Sequence, residues 1–191
     1  MLPMALAIIA HGAMLASGMI FLTAGVHKWR HRQILPGVIA NYRILPVGLV
    51  GPASALLPPA EIVIGALLLV GPFSLVNAAA SVLLLSFAVA TTINLLRGRS
   101  HIHCGCGRLD LQQQLGWGAV LRNLLLAALL LIPAAFGQPL DAIAHASALF
   151  TGLAIWVANM LFEAIGAAKA AAPALASRHA PPHNHAPHRS Q

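Results

Sequence analysis

Residues 75–96, LVNAAASVLLLSFAVATTINLL, carry no charged side chain. A helix needs about 20 predominantly apolar residues to cross the hydrocarbon core of a bilayer. In lipid every backbone N–H and C=O must be satisfied within the segment, so a continuous apolar run of this length is restricted to helix. Similar runs recur at residues 4–24, 47–69, 117–135 and 143–165. None shows the strict apolar–polar alternation of a membrane β-strand. The expected fold class is therefore all-α: an integral membrane helical bundle of four to five transmembrane helices within residues 1–166. The second run contains Pro58-Pro59, which predicts a kink or two half-helices there. The opening MLPMALAIIA has no basic n-region, so it is expected to begin a span rather than a cleaved signal peptide.

Composition supports the membrane class. Only 8% of residues are charged and 59% are hydrophobic, with mean hydropathy +0.81; a soluble domain has about a quarter charged residues. The net charge is +7, from 11 Lys and Arg against 4 Asp and Glu. In a membrane protein such an excess reports orientation and contact with anionic lipid. No basic face interleaved with aromatics appears, so nucleic acid is not an expected partner, whereas the lipid bilayer is. Residues 167–191 turn Ala/Pro/His-rich and end in ASRHAPPHNHAPHRSQ; such a segment cannot bury a core and is expected to be disordered.

The basic residues are unevenly placed. Lys28, Arg30, Arg32 and Arg43 fall in the first connector; Arg97, Arg99 and Arg108 fall in segment 97–116; Lys169, Arg178 and Arg189 lie beyond the fifth run. With five spans all of these share one face. The positive-inside rule then places the N-terminus outside and segment 97–116 in the cytoplasm. The first connector, 25-GVHKWRHRQILPGVIANYRILP-46, mixes basic, aromatic and apolar residues. It is expected to be an interfacial amphipathic segment, with a headgroup-level pocket for a quinone as the alternative.

Segment 97–116 holds the sharpest chemical signal, 101-HIHCGCGR-108, with the only two cysteines of the chain. A disulfide needs Cα atoms about 4.4–6.8 Å apart, which residues i and i+2 meet only in a bent backbone. Gly105 supplies that freedom. The resulting ring is small and strained, and strained, accessible disulfides are the labile, oxidising kind. Arg99, Arg108 and protonated histidine favour thiolate. Cys104 and Cys106 are thus candidates for a catalytic redox pair. The metal alternative uses His101, His103, Cys104 and Cys106, donors that suit zinc or Cu(I), although four ligands within six residues crowd a tetrahedral site. The tail histidines His179, His183, His185 and His188 could extend it. An inert loop is the third reading.

Ionisable groups inside apolar runs are costly and point to function by default. Glu61 follows the Pro-Pro pair, Arg122 sits about one turn into the fourth run, and the two are candidates to pair. His11 and His145 read as packing or interhelical hydrogen-bond partners, as do Asn94, Asn123 and Asn159.

Several pieces occur in order: Gly25-x-x-Lys28, Asn41-Tyr42-Arg43-x-Leu45-Pro46, Glu61 with Gly65, Asn94-Leu95-x-Arg97-Gly98, Cys104-Gly105-Cys106-Gly107 and Leu121-Arg122-Asn123. Over residues 5–135 the chain resembles the methylamine utilisation protein MauE family, within the wider DoxX-like membrane proteins. The resemblance implies a multi-pass protein of the bacterial cytoplasmic (inner) membrane. It also implies a part in disulfide formation and maturation of the disulfide-rich small subunit of a methylamine dehydrogenase, together with a thioredoxin-like partner of the MauD type. By that resemblance Cys104 and Cys106 are the redox pair of a thiol–disulfide oxidoreductase. Lys28, Glu61, Arg97, Arg99, His103, Arg108 and Arg122 are supporting positions, with a quinone as candidate electron acceptor. His103 stands where the family often has Asp, and a protonated imidazole there favours thiolate where an acid opposes it. A membrane copper- or zinc-handling protein and a non-catalytic assembly factor are the alternatives.

Overall fold

The computed structural model describes residues 4–100, 102, 115–136 and 141–178. They form six helices and, among the described residues, no strand: α1 Met4–Arg30, α2 Leu35–Asn41, α3 Val47–Val70, α4 Ser74–Leu96, α5 Trp117–Phe136 and α6 Ala142–Arg178. Four of them, α1, α3, α4 and α6, are long and apolar enough to cross a membrane, while α5 contributes a shorter apolar stretch, Trp117–Pro133.

The helix α1 is the axis of the bundle. Its residues are buried on several faces, and it packs against α3, α5 and α6. Small residues make that possible. A Cβ on Gly65 of α3 would lie 2.8 Å from Gly18 O and 2.8 Å from Leu22 N, so the two backbones meet at a point where only glycine fits. The same device joins α1 to α6, where a Cβ on Gly12 would lie 2.8 Å from Thr151 Cβ. A second layer is made by α4 against α5, where Ser81 Oγ donates to Ala127 O at 3.1 Å.

The outer surface is apolar. Val47, Val70, Leu75, Leu96, Ile143 and Phe150 are all highly exposed. The interior holds Lys28, Glu61, Asn77, Thr91, Asn94, Asn123 and Glu163. This inside-out distribution would aggregate in water and suits lipid, where polar side chains gain by meeting each other. The molecule is a multi-pass membrane bundle.

Three expectations need correction. Helix α3 is not two half-helices: it runs unbroken through Pro52, Pro58 and Pro59. Lipid penalises a break that exposes unpaired backbone groups, and α1 is packed along this stretch, with Gly25 against Pro58 and Ile62. The first span does not stop at Ala24, because Gly25–Arg30 continue α1 and the connector behind them folds into α2. Finally, α6 does not end near Gly166 but continues to Arg178, in line with the high helix propensity of its alanines. At its start Asp141 Oδ1 accepts the Ala144 N–H at 2.7 Å, an N-cap. Residues 179–191 lie outside the described residues.

Candidate functional site

Gly25 meets Pro58 while Gly18 meets Gly65, so α1 and α3 run antiparallel, and α4 and α5 do the same, with Ser81 on Ala127 and Leu95 at the Ala119 end; one end of the bundle therefore collects the C-terminal ends of α1 and α4, the helix α2, and the start of α5. The segment that carries the cysteines leaves and re-enters at this end. His101, His103, Cys104, Cys106 and Arg108 themselves lie outside the described residues, as do the tail histidines. The neck of the segment is described. Leu115 N donates to Ser100 O at 3.1 Å and to Ile102 O at 3.2 Å. Ile102, Leu115 and Ala119 are buried together, with Tyr42, Phe87 and Leu95 packed against them. The cysteine-bearing segment is therefore rooted in a small apolar knot.

Arg97 and Arg99 brace that knot. Arg97 Nη1 donates to Arg43 O at 3.2 Å. Arg99 donates from Nη1 to Asn94 Oδ1 at 3.1 Å and from Nη2 to Asn41 Oδ1 at 3.3 Å. Arg99 thus ties the last residue of α2, and Arg97 the turn just after it, to the end of α4. Arg43 carries the one positive φ of a non-glycine among the described residues, 50°. That left-handed conformation costs an ordinary side chain energy and persists where surrounding contacts enforce it.

Deeper in the bundle Lys28 Nζ donates to Glu61 Oε1 at 2.5 Å, and both side chains are wholly buried. The ammonium also lies 5.2 Å from the centroid of the Phe87 ring, within cation–π range. Glu61 and Arg122 were candidates to pair, and they do not. Lys28 lies one turn beyond Gly25, where α1 and α3 touch, and so reaches Glu61 directly. Assigning Lys28 to a connector hid this; the Gly25-x-x-Lys28 spacing, which puts both residues on one helix face, was the available signal.

Arg122 has other partners. Its Nη1 donates to Asn159 Oδ1 at 2.7 Å and to Glu163 Oε1 at 3.3 Å, joining α5 to α6. Nε and Nη2 reach Asn123 Oδ1 at 3.3 and 3.2 Å. Glu163 was missed from sequence, although it and Glu61 are the two acids within apolar runs. Asn159 does act between helices. Asn94 instead serves its own helix and Arg99. The imidazoles of His11 and His145 bond to carbonyls within their own segments, Ala7 O and Asp141 O, rather than across helices. No group of three or more His, Cys, Asp or Glu gathers among the described residues.

The family profile described as methylamine utilisation protein MauE matches residues 5–136. Among curated relatives, the methylamine utilization protein MauE of Paracoccus denitrificans is 43% identical over 114 residues, 59% of this chain and 61% of that protein. The protein of the same name from Methylophilus methylotrophus is 37% identical over 74% of this chain and 75% of its own length. The one from Methylorubrum extorquens is 37% identical over 75% and 81%. The match thus spans about three-fifths of the Paracoccus denitrificans protein and more of the other two. No solved structure matches the chain. The profile covers the packed helices α1 to α5 together with the cysteine-bearing segment, and the chain belongs to the methylamine utilisation protein MauE family.

Proposed function

We propose that the protein is a membrane thiol–disulfide redox carrier serving methylamine utilisation, with Cys104 and Cys106 as its working pair. It supports disulfide formation and maturation of a disulfide-rich amine dehydrogenase subunit through a thioredoxin-like partner. The observation that carries this is the placement of the only two cysteines, one residue apart, on a segment whose neck is locked by Leu115, Ser100 and Ile102. The names of the relatives support the pathway.

The chemistry balances within the pair. A partner thiolate attacks one sulfur of the Cys104–Cys106 disulfide, forming a mixed disulfide and releasing the other cysteine as thiolate. The partner's second thiolate then displaces the remaining cysteine. The partner leaves as a disulfide, and the chain holds two thiols that must be reoxidised. Arg99, His103 and Arg108, close to the pair in sequence, would favour the leaving thiolates.

Oxidation of an exported client requires the pair to face the oxidising compartment, whereas the basic excess at this end argues for the cytoplasm. Part of that excess is committed internally: Lys28 is buried against Glu61, Arg97 holds the Arg43 carbonyl and Arg99 holds Asn41. We place the loop on the periplasmic side of the inner membrane. Labelling Cys104 in intact cells with a membrane-impermeant thiol reagent tests the side. Cys106→Ser is expected to trap a mixed disulfide with a thioredoxin-like protein. Full partner oxidation in either Cys104→Ser or Cys106→Ser overturns the proposal.

A further inference from the structure

Two apolar recesses meet on one side of the bundle. Helices α3 and α4 follow one another across the turn at residues 71–73, yet they diverge: α3 packs along α1 and α4 along α5. The wedge between them, lined also by α2, holds a cavity of about 470 Å³. Beside it a groove of about 420 Å³ follows α4 from Val82 to Ile93. Val82, Leu85 and Val89 in the groove are exposed, so it faces lipid. Ile44, Ser86 and Ala90 line both recesses and join them.

Neither recess offers an available polar group. Tyr42 and Ser86 carry the only polar side chains among the lining residues. The Ser86 hydroxyl donates to Val82 O at 2.7 Å, and Tyr42 is already engaged. Hydrocarbon is what such walls accept.

The rim at the cysteine-bearing end is cationic. Arg97 Nη1 donates to Arg43 O at 3.2 Å. That carbonyl is bonded to the Ile44 nitrogen, so the guanidinium stands where the two recesses meet. Arg97 also follows Ile93 by one turn, its N–H donating to Ile93 O, which sets it at the end of the groove. Arg43 and Arg97 are both exposed. No carboxylate among the described residues pairs with either: Glu61 is taken by Lys28, Glu163 by Arg122, and Asp141 caps α6 at the opposite end.

We propose that the joined recesses bind one anionic diacyl phospholipid, with its phosphate on Arg97 and Arg43 and one acyl chain in each recess. Shape, depth and charge converge on that occupant. Two apolar recesses branching from one polar point match a headgroup that carries two chains, whereas a lipophile with a single tail fills only one. From Val82 to Ile93 is about 16 Å of helix, half of the roughly 30 Å hydrocarbon core and so the depth of one leaflet. Guanidinium groups bind phosphate through charge-assisted, often bidentate bonds. A zwitterionic headgroup would bring its own cation to a rim that already holds two.

The site stands apart from the thiol chemistry and does not depend on it. It does touch the root of the cysteine-bearing segment, because Tyr42 and Phe87 belong both to the cavity wall and to the knot of Ile102, Leu115 and Ala119. An acyl chain in the cavity therefore backs that knot.

The test titrates the full chain in dodecyl maltoside micelles with dioleoylphosphatidylglycerol and counts bound lipid by native mass spectrometry. Dioleoylphosphatidylcholine is the control for charge, and dihexanoylphosphatidylglycerol the control for chain length. One dioleoylphosphatidylglycerol is expected to bind at least about tenfold more tightly than either control, a difference of roughly 1.4 kcal/mol, and to raise the melting temperature as the site fills. Arg43→Asn tolerates the left-handed backbone, and Arg97→Gln keeps a donor for the Arg43 carbonyl. The two together are expected to lower dioleoylphosphatidylglycerol to the affinity of the phosphatidylcholine. Ser86→Phe fills the part common to both recesses and Ala60→Phe the cavity alone, each from an exposed position. Each is expected to weaken dioleoylphosphatidylglycerol about tenfold or more, with the lipid-free melting transition unchanged. A control lipid that binds as tightly as dioleoylphosphatidylglycerol, or unaltered binding in either filling variant, overturns the site. So does an equal loss in Arg30→Gln/Arg32→Gln, the exposed basic residues ahead of α2, because the attraction would then belong to the whole face rather than to the rim.

Discussion

Removing one partner of the buried pair between α1 and α3 should be far more damaging than removing both. At the 2.5 Å separation of Lys28 Nζ and Glu61 Oε1, Coulomb attraction at an effective dielectric of about 20 is roughly 7 kcal/mol. Taking two ions out of water costs several kcal/mol each, so the pair as a whole is close to break-even. Glu61→Leu removes the attraction and leaves an ammonium with no exposure to solvent, for which about 3–5 kcal/mol is expected. That is a fall of roughly 10²- to 10³-fold or more in the folding equilibrium constant. Lys28→Met strands the carboxylate and also removes the cation–π contact with Phe87, so its cost should be at least as large. The Lys28→Met/Glu61→Leu double variant replaces both ions by apolar groups of similar volume and should fall within about 1–2 kcal/mol of wild type. Equilibrium unfolding in mixed micelles with rising SDS, followed by circular dichroism, measures all four corners of the cycle. Single variants that each lose less than about 1 kcal/mol, or a double variant that equals the sum of the singles, would refute the claim that these charges are mutually dependent.

Two further outcomes concern packing and the second polar cluster. Gly65→Ala drives a Cβ to 2.8 Å from backbone atoms of α1 and should cost about 1–3 kcal/mol as the helices separate. Gly51→Ala, earlier in the same helix with nothing within 4 Å, should be neutral or stabilise by about 0.5–1 kcal/mol; thermal melts of the two variants compare them directly. Arg122→Met breaks the bonds to Asn159 and Glu163 and leaves a largely buried carboxylate on α6. It should cost about 2–3 kcal/mol, and Arg122→Lys should recover little because the planar fork serves two acceptors on α6 and one on α5. Measured unfolding of Arg122→Lys close to wild type would show that charge alone suffices.

The apolar runs of about 20 residues were enough to establish helix and membrane class, because lipid leaves a continuous apolar segment one way to satisfy its backbone; they gave five runs, of which the one in α5 forms a shorter apolar stretch than the other four. The chemical interest of Cys104 and Cys106 was equally legible, since it rests on local spacing. Other features depended on which faces meet. From sequence Arg122 was the candidate partner for Glu61, and only the glycine contacts that seat α1 on α3 bring Lys28 to it. Arg122 turned instead to Glu163 on α6, a residue 41 positions away. The Pro-Pro pair offered a kink or two half-helices, and α3 runs through it as one helix with α1 packed alongside. Hydropathy is a property of single segments, so the sequence by itself determined what spans the membrane. Ion pairs and the cavity between α3 and α4 arise from how helices cross and diverge, which close contacts between glycines settle and no single segment encodes.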